Sequence, residues 1–478
     1  MRAGALVVVV VALAVLAGAV WWTKLEPGPP QIDISQLQEP IGRTATGEIV
    51  VRATGRPGLR YVQVRLVANG QPIALHDEEI PADPPVHERR IALASDLAAA
   101  GVSEGPATLE VVAGTYAWHL LGGNRQAAAS RPLTIDTTPP RVEVLTTQHN
   151  MRLGGVALAL FRVSPDASEV GVFVDPYFFP AVRGFFADPE AAMALFAVPQ
   201  DLSVDAQPMV RAVDGAGNRT EVALAVAIKG RQFPERELGI DDAFLQRKVP
   251  EILSKVGKPV PADLVQGYLT VNRDVRRESE EKLDAVTAVS ADTPLWTGVF
   301  RRQTNAAPMS AFADRRSYVY KGETIDKQTH QGYDLASLKR APVEATQAGV
   351  VKFAGYLGIY GDTVVIDHGL GVASLYGHLS SIGVKEGQSV QAGEVIGQTG
   401  ETGLAGGDHL HFSIMLRGVH VDPVEWWDPK WMREHLSDRV ASLPAAQPAA
   451  APAAAPAEAA ATPAADASAR SADGQAHP

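Results

Sequence analysis

The chain has 478 residues, no cysteine and a formal net charge of −11. That length suggests about three domains at roughly 100–200 residues each, and a hydrophobic fraction of 46% excludes a wholly disordered chain. The lack of Cys excludes a disulfide scaffold, a thiolate zinc finger, an iron–sulfur site and a cysteine nucleophile, and the acidic balance argues against a nucleic-acid partner.

Residues 3–22 carry no charge and are almost all Ala, Val, Leu and Gly. About twenty helical residues at 1.5 Å each span about 30 Å, the thickness of a bilayer core. Trp21 and Trp22 close the run, where indole rings favour the membrane interface, and Arg2 and Lys24 flank it. The expectation is a signal anchor over residues 1–26, a single-pass inner-membrane helix that places the rest of the chain in the periplasm or outside the cell. A cleaved signal peptide, with Ala17-Gly18-Ala19 as an A-x-A site, is the alternative.

Residues 31–135 alternate in short runs, Gly47–Ala53, Arg60–Val67 and Thr108–Ala113, with a turn at Asn69-Gly70. Period-two patterning punctuated by Gly and Pro predicts an antiparallel β-sandwich module. A second module opens at Thr137-Thr138-Pro139-Pro140 and continues through Ala157–Val163, Val170–Val174 and Met209–Val213, giving residues 136–232. Its segment Val210–Asn218 and its TPP entry resemble bacterial immunoglobulin-like modules. Residues 236–290 change to helical spacing: a short helix near Ala243–Val249, then a long one from Ala262 to Thr287 in which Leu264, Tyr268, Val271, Val275, Leu283 and Val286 share a face and Glu278, Glu280, Glu281 and Lys282 are solvated. This segment is either a linker or a regulatory arm over the active site. From 443 to 478 the chain is about half Ala with recurrent Pro, which reads as a disordered tail.

The chemistry concentrates between His330 and His411, where five of the twelve histidines fall, together with Asp334. In His409-Leu410-His411-Phe412, read as a strand, both histidines point one way and Leu410 and Phe412 the other. His330 and Asp334 are four apart, an even spacing that can put both on one side. Tyr376 and His378 share a face of the strand Val372–Leu379. Imidazole nitrogen and carboxylate oxygen are good Zn²⁺ ligands, and a catalytic zinc takes three protein ligands and leaves a position for water. Four histidines and an aspartate exceed that need, so a surplus His is free for proton transfer.

The ordered motifs resemble one family. His330-Gln331-Gly332-Tyr333-Asp334-Leu335-Ala336 looks like the H-x-G-x-D-[LI]-A motif of the LytM/lysostaphin-type zinc metallopeptidases. Gly361–Gly369, Tyr376-Gly377-His378-Leu379, the glycine-punctuated turns of Val384–Gly400, and Thr402-Gly403 followed by Gly407-Asp408-His409-Leu410-His411-Phe412 are similar to its middle and closing motifs. The resemblance runs from Pro308 to Pro429. It implies a mainly β fold with an antiparallel-β zinc peptidase domain over residues 291–432. It also implies Zn²⁺ as cofactor, with His330, Asp334 and His411 as metal ligands, His409 as general base, and His378 stabilising the oxyanion or positioning water. Ala313 stands where the family's entry motif has Gly, and Asp408 where Pro is common, which bears on groove shape. His368 reads as a structural strand-end residue, and His420 and His435 as surface or packing residues. Tyr376 either hydrogen-bonds near the site or lines the groove.

Other enzyme signals are missing. His87-Glu88-Arg89-Arg90-Ile91 begins like H-E-x-x-H and ends on Ile91, and neither G-x-S-x-G nor a P-loop occurs. The resulting expectation is an exported, membrane-tethered zinc metalloendopeptidase of the cell envelope. It hydrolyses peptide cross-links in peptidoglycan, a hydrolase with a peptide substrate, a membrane contact through its first helix and no nucleic acid. A non-catalytic LytM-like scaffold that activates a cell-wall amidase is the alternative.

Overall fold

A computed structural model describes residues 2–24, 28–43, 47–54, 57–93, 101–118 and 124–446. The chain is mostly β; its α- and π-helices lie in its first residues, in 242–287 and in 423–441, with a short 3-10 turn at Gly358–Tyr360.

The expected membrane span is corrected. Among the described residues, no helix is long and apolar enough to cross a membrane. A helix does form over Arg2–Lys24. Its side chains are described from 7 to 20. The side chains of Trp21 and Trp22 lie outside the described residues. The transmembrane assignment therefore falls. The membrane tether, the membrane as partner and the single-pass inner-membrane placement fall with it, and so does the periplasmic or extracellular location drawn from that anchor.

Residues 31–135 form two sheets. Leu59–Ala68 and Gly105–Trp118 pair at the centre of a four-stranded antiparallel sheet flanked by Gln71–Glu79 and Asn124–Ile135. Val62, Val64 and Leu66 face Val111 and Leu109 from neighbouring strands, all buried, because a period of two sends alternate side chains to one face. Asn69 and Gly70 both take positive φ, 50° and 74°, as a two-residue hairpin turn requires. A three-stranded sheet of Gln31–Asp33, Glu48–Arg52 and Glu88–Ala92 completes the region.

Residues 142–223 form two four-stranded antiparallel sheets. Val156–Val163 and Ala191–Ala197 pair in one of them and are buried almost throughout, with no alternation. A strand buried on both sides needs cover on both faces, and the second cover comes from the C-terminal part of the chain. Phe161 and Phe196 belong to one continuous buried cluster with Leu416, Val421, Trp426 and Leu436. Polar contacts reinforce the join: Arg231 pairs with Asp422, Asp422 N–H donates to the Gly154 carbonyl at 2.8 Å, and Val156 N–H donates to Glu425 Oε2 at 3.0 Å.

Glu425 makes this join pH-dependent. Burial pushes its pKa up to about 8, the hydrogen bond from Val156 N–H opposes the shift, and Asp422 adds to it. A carboxyl whose folded pKa is raised contributes stability that is complete below its unfolded value, near 4.5, and is lost as pH rises through about 8. Glu425→Gln keeps an acceptor for Val156 and removes the titration. It is expected to stabilise the protein at pH 8.5 by about 2–3 kcal/mol, discounted for partial exposure. At pH 4.5 the change is expected to be negligible. Thermal melts of both proteins across that pH range check this.

The segment 235–287 is not wholly helical. Glu235–Ile240 is a strand, pairing parallel with Arg315–Tyr320, which forms a hairpin with Glu323–Thr329. The helix Asp242–Lys255 follows, capped by Asp241, whose Oδ1 accepts from Phe244 N–H at 2.7 Å. The long helical run begins at Leu264 with Asp263 as its cap, passes through a π-helical turn at Thr270–Val275 and continues over Arg276–Thr287. Tyr268, Val271, Val275 and Leu283 form its buried face, as the spacing predicts, against Leu357, Ile359, Tyr360, Leu375 and Met415.

The central sheet of the C-terminal region has eight strands, all antiparallel. Leu410–Leu416 lies between Tyr333–Ala336 and Val372–Leu379; Asp362–Gly369 and Gly349–Tyr356 continue outward. The start of the Ala/Pro-rich tail is paired: Ala187 N–H donates to Pro444 O at 2.9 Å and Ala446 N–H to Phe185 O at 3.0 Å. Residues 447–478, on which the expectation of disorder rests, lie outside the described residues.

Candidate active site

Cross-strand register assembles the site. Asp334 sits directly opposite His411 on the neighbouring strand, and His411 opposite Gly377 on the next. His330 follows the strand Glu323–Thr329 and is held by backbone bonds to residues 313 and 314, each 2.9 Å. His330 Nε2, Asp334 Oδ1 and His411 Nδ1 lie 2.9, 3.0 and 3.0 Å from one another. All three residues are buried, and they form a cluster able to hold a metal ion.

The protonation pattern tests the fit to zinc. His330 Nδ1 lies 3.0 Å from the Ala311 carbonyl, which can only accept, so in the neutral ring Nδ1 carries the proton and Nε2 offers a lone pair. That lone pair faces a carboxylate oxygen and a second imidazole nitrogen at hydrogen-bond distance. Three such donors converging in a buried place are reconciled by a shared cation, and two imidazoles with one carboxylate are a zinc ligand set that leaves room for water. His411 Nε2 is buried without a partner among the described residues, so this ring lacks the outer hydrogen bond that usually fixes a ligating His. Packing fixes it instead. A Cβ at Gly332 would fall 2.7 Å from His411 Nε2 and 2.6 Å from the Phe412 carbonyl, and the Tyr360 ring lies 5.2 Å away by centroids.

His409 and His378 join the same cavity, of about 590 Å³, that His330, Asp334 and His411 line. His409 Nδ1 lies 2.8 Å from the Gly407 carbonyl, which leaves Nε2 facing Asp334 Oδ1 at 3.5 Å. His378 Nδ1 lies 2.8 Å from the Thr402 carbonyl, and its ring is 4.9 Å from His409. His378 takes φ 63°, a left-handed conformation uncommon outside glycine. That conformation overturns the expectation that Tyr376 and His378 share a face. Tyr376 packs on Phe412 in the core, where its hydroxyl accepts from Thr346 N–H at 2.7 Å, whereas His378 is turned over to the histidine side. Tyr376 therefore neither lines the groove nor bonds near the site.

Electrostatics follow from burial and from Asp334. Burial alone would raise the Asp334 pKa, but His330 and hydrogen bonds to three histidines hold it well below the usual carboxylate range. Burial pushes His378 well below the ordinary histidine value, with His409 and His411 adding to the effect, and lowers His411 to about 4. In His409 burial also lowers the pKa, but Asp334 overcomes it and the net shift is upward.

Several contributors escaped the sequence reading. Arg316 donates to Asp334 Oδ2 at 2.8 Å, fixing the carboxylate from behind. Of the two adjacent arginines, Arg315 is exposed and Arg316 turns inward. Strand alternation from the buried Asp314 was the usable signal. Glu280, expected to be solvated, instead accepts from the Tyr360 hydroxyl at 2.7 Å and pairs with His420 at 3.0 Å. His420 also lies 2.6 Å from Ser413 Oγ. Lys248 is buried on the helix Asp242–Lys255 and donates to the Glu401 carbonyl, beside Thr402. Ala313 sits at φ 60°, a conformation in which glycine is unstrained. Asp408 accepts from Thr399 Oγ1 at 2.6 Å and Arg340 N–H at 3.1 Å, bracing the loop before His409. His368 is structural: its ring nitrogens lie 2.8 Å from Ala348 O and 2.7 Å from Ser374 Oγ.

The family model of Peptidase family M23 matches residues 328–423, the stretch that contains all five groups. This stretch has an M23-type peptidase fold with a zinc-binding triad. The M23 match and the triad together support a zinc metalloendopeptidase. Among similar curated proteins, DD-carboxypeptidase/endopeptidase Mpg of Neisseria meningitidis is 45% identical over 95 residues, 20% of this chain and 22% of that protein. Peptidoglycan DD-endopeptidase ShyA of Vibrio cholerae is 40% identical over 96 residues, 20% of this chain and 22% of that protein. The chain thus spans about a fifth of the length of the curated relatives it matches. A solved M23 peptidase structure from Pseudomonas aeruginosa is similar over 58% of this chain and 94% of that one, at 24% identity and a TM-score of 0.38.

Proposed function

We propose that the protein is a zinc metalloendopeptidase that hydrolyses peptide cross-links of bacterial peptidoglycan. The observation that carries the reading is the convergence of His330 Nε2, Asp334 Oδ1 and His411 Nδ1 within 3.0 Å of one another, beside two further histidines on one cavity. The substrate class is supported by the relative named as a peptidoglycan DD-endopeptidase, ShyA of Vibrio cholerae. The complete donor set weighs against a non-catalytic amidase-activating scaffold.

In this reading His330, Asp334 and His411 hold the metal. When bound, zinc supplies a Lewis acid that brings the pKa of water from 15.7 to about 7 and polarises the scissile carbonyl. His409 is the general base. Its Nδ1 proton is committed to the Gly407 carbonyl, so Nε2 is the atom that takes the proton from water and passes it to the leaving amine. His378 positions the water rather than the oxyanion. Burial keeps this ring neutral and its Nδ1–H is spent on the Thr402 carbonyl, so Nε2 can only accept. Arg316 fixes the Asp334 carboxylate, and Glu280 and Tyr360 brace the His411 ring.

We assign the catalytic unit to residues 291–432, and read 31–135 and 136–232 as β modules, the second immunoglobulin-like. The turn at Val213–Asn218 supports the last point: Asp214 accepts from Ala216 N–H at 2.8 Å and from Asn218 N–H at 2.9 Å.

Digestion of purified peptidoglycan tests the reading. The expected result is conversion of cross-linked muropeptide dimers to monomers, abolished by chelation. Release of glycan fragments with intact cross-links would contradict it.

A further inference from the structure

One wall of the cavity comes from residues outside the M23 match. It includes Arg236, Arg247, Tyr268 and Arg276. With Arg316, four arginines line the cavity against three aspartates, Asp241, Asp314 and Asp334. Arg316 is committed to Asp334 and Asp314, and Arg236 lies 3.6 Å from Asp314. Asp241 caps its helix. Arg247 and Arg276 make no ion pair among the described residues.

Arg276 is nonetheless held in place. Its Nε donates to the Asn272 carbonyl at 3.1 Å and its Nη2 to Asn272 Oδ1 at 2.7 Å. Asn272 is fully buried and is fixed in turn by donating to Asp326 Oδ2 at 2.8 Å. A neutral partner thus orients the guanidinium, and Glu280, on its own helix, feels its charge without forming an ion pair with it. Tyr268 is fully buried, and its hydroxyl has no hydrogen-bond partner among the described residues. A buried hydroxyl left unpaired keeps its desolvation penalty unless a ligand satisfies it. In a chain of net charge −11, two guanidiniums outside any ion pair among the described residues and an orphan hydroxyl line one catalytic cavity. Guanidinium forks and a phenolic donor suit a carboxylate.

We propose that Arg276, Arg247 and the Tyr268 hydroxyl form a subsite for a free carboxylate on the peptide beside the scissile bond, so that carboxylate-bearing peptides are preferred over amidated ones. This rests on the peptidase reading above. Peptidoglycan stem peptides carry carboxylates of this kind, and the subsite would make the helical segment part of substrate selection.

The test uses the full-length zinc-loaded chain and two cross-linked peptides that differ only in the carboxylate nearest the scissile bond, free or amidated. The free form is expected to be hydrolysed with kcat/KM about 10–100-fold higher. Arg276→Gln and Arg247→Gln should bring that ratio near one, with circular dichroism and zinc content showing that the variants fold. Tyr268→Phe should reduce the ratio in part, and Arg276→Lys should restore some of it. Calorimetric binding of the same peptides to His409→Ala should show the same preference in Kd, weakening with salt. Equal hydrolysis and equal binding of the two peptides would overturn the subsite and leave the peptidase reading intact. A binding preference with no hydrolysis of either peptide by the zinc-loaded chain would overturn the peptidase reading and leave the subsite intact.

Discussion

His409→Ala is expected to keep its zinc and lose turnover by about 10²–10⁴-fold, the range associated with general acid–base catalysis. The separation follows from geometry. His330, Asp334 and His411 make the close cluster, and His409 approaches it only as far as 3.5 Å from Asp334 Oδ1. Removing its ring leaves the three ligand atoms and Arg316 in place. The Gly407 carbonyl that oriented Nδ1 belongs to an exposed residue and can be solvated. Metal content and hydrolysis of a cross-linked peptide, measured on one preparation, check this. Retained hydrolysis would remove His409 from the role of base, and loss of zinc would make it a ligand.

Asp334→Asn is expected to do the opposite, losing the metal first and activity as a consequence. The carboxylate is the cluster's only anionic ligand, and it takes contacts from three histidines on one oxygen and from Arg316 on the other. An amide keeps the shape without the charge, and zinc affinity should fall by at least about 100-fold, at the upper end of what outer partners of a site contribute and more for a ligand itself. Stability should change with a defined pH signature. The folded pKa of Asp334 is held far below its unfolded value, so its contribution is present above about pH 4 and is lost as pH falls through the folded value. Above pH 4 the variant should therefore melt lower than the parent, because the half-buried Arg316 loses its nearest carboxylate and keeps only Asp314, at 3.4 Å. The difference should shrink in acid. Zinc titrations and melts at pH 3 and pH 7 measure both effects, and unchanged zinc affinity would remove Asp334 from the ligand set.

The sequence carried the donor set because its signal is local. His330-x-x-x-Asp334 and His409-x-His411 are fixed spacings on two strands, and pairing of Asp334 with His411 is the one non-local fact needed to close the cluster. The helical face of Tyr268, Val271, Val275 and Leu283 was legible for the same reason. What could not be read depended on backbone irregularity or on long-range packing. The positive φ at His378 reverses the side that strand alternation assigns, and no spacing rule anticipates it. Glu280 reads as solvated from its helical neighbours, yet it meets Tyr360 and His420, 80 and 140 positions away. The unalternating strands Val156–Val163 and Ala191–Ala197 hinted at cover on both faces, but only the structure shows that the cover is the C-terminal helices. The N-terminal run failed in a different way. Its composition suits a bilayer, but the described residues contain no helix that meets the length and apolarity of a span.

The central claim is that His330, Asp334 and His411 make this chain a metal-dependent peptidase. The most direct measurement strips the full-length protein with a chelator and adds zinc back stepwise while following cleavage of a cross-linked muropeptide dimer. The account predicts no cleavage in the stripped protein and full recovery at one zinc per chain, with two monomers as product. Cleavage that persists after complete metal removal, or a chain that binds one zinc and leaves every cross-linked dimer intact, would contradict it.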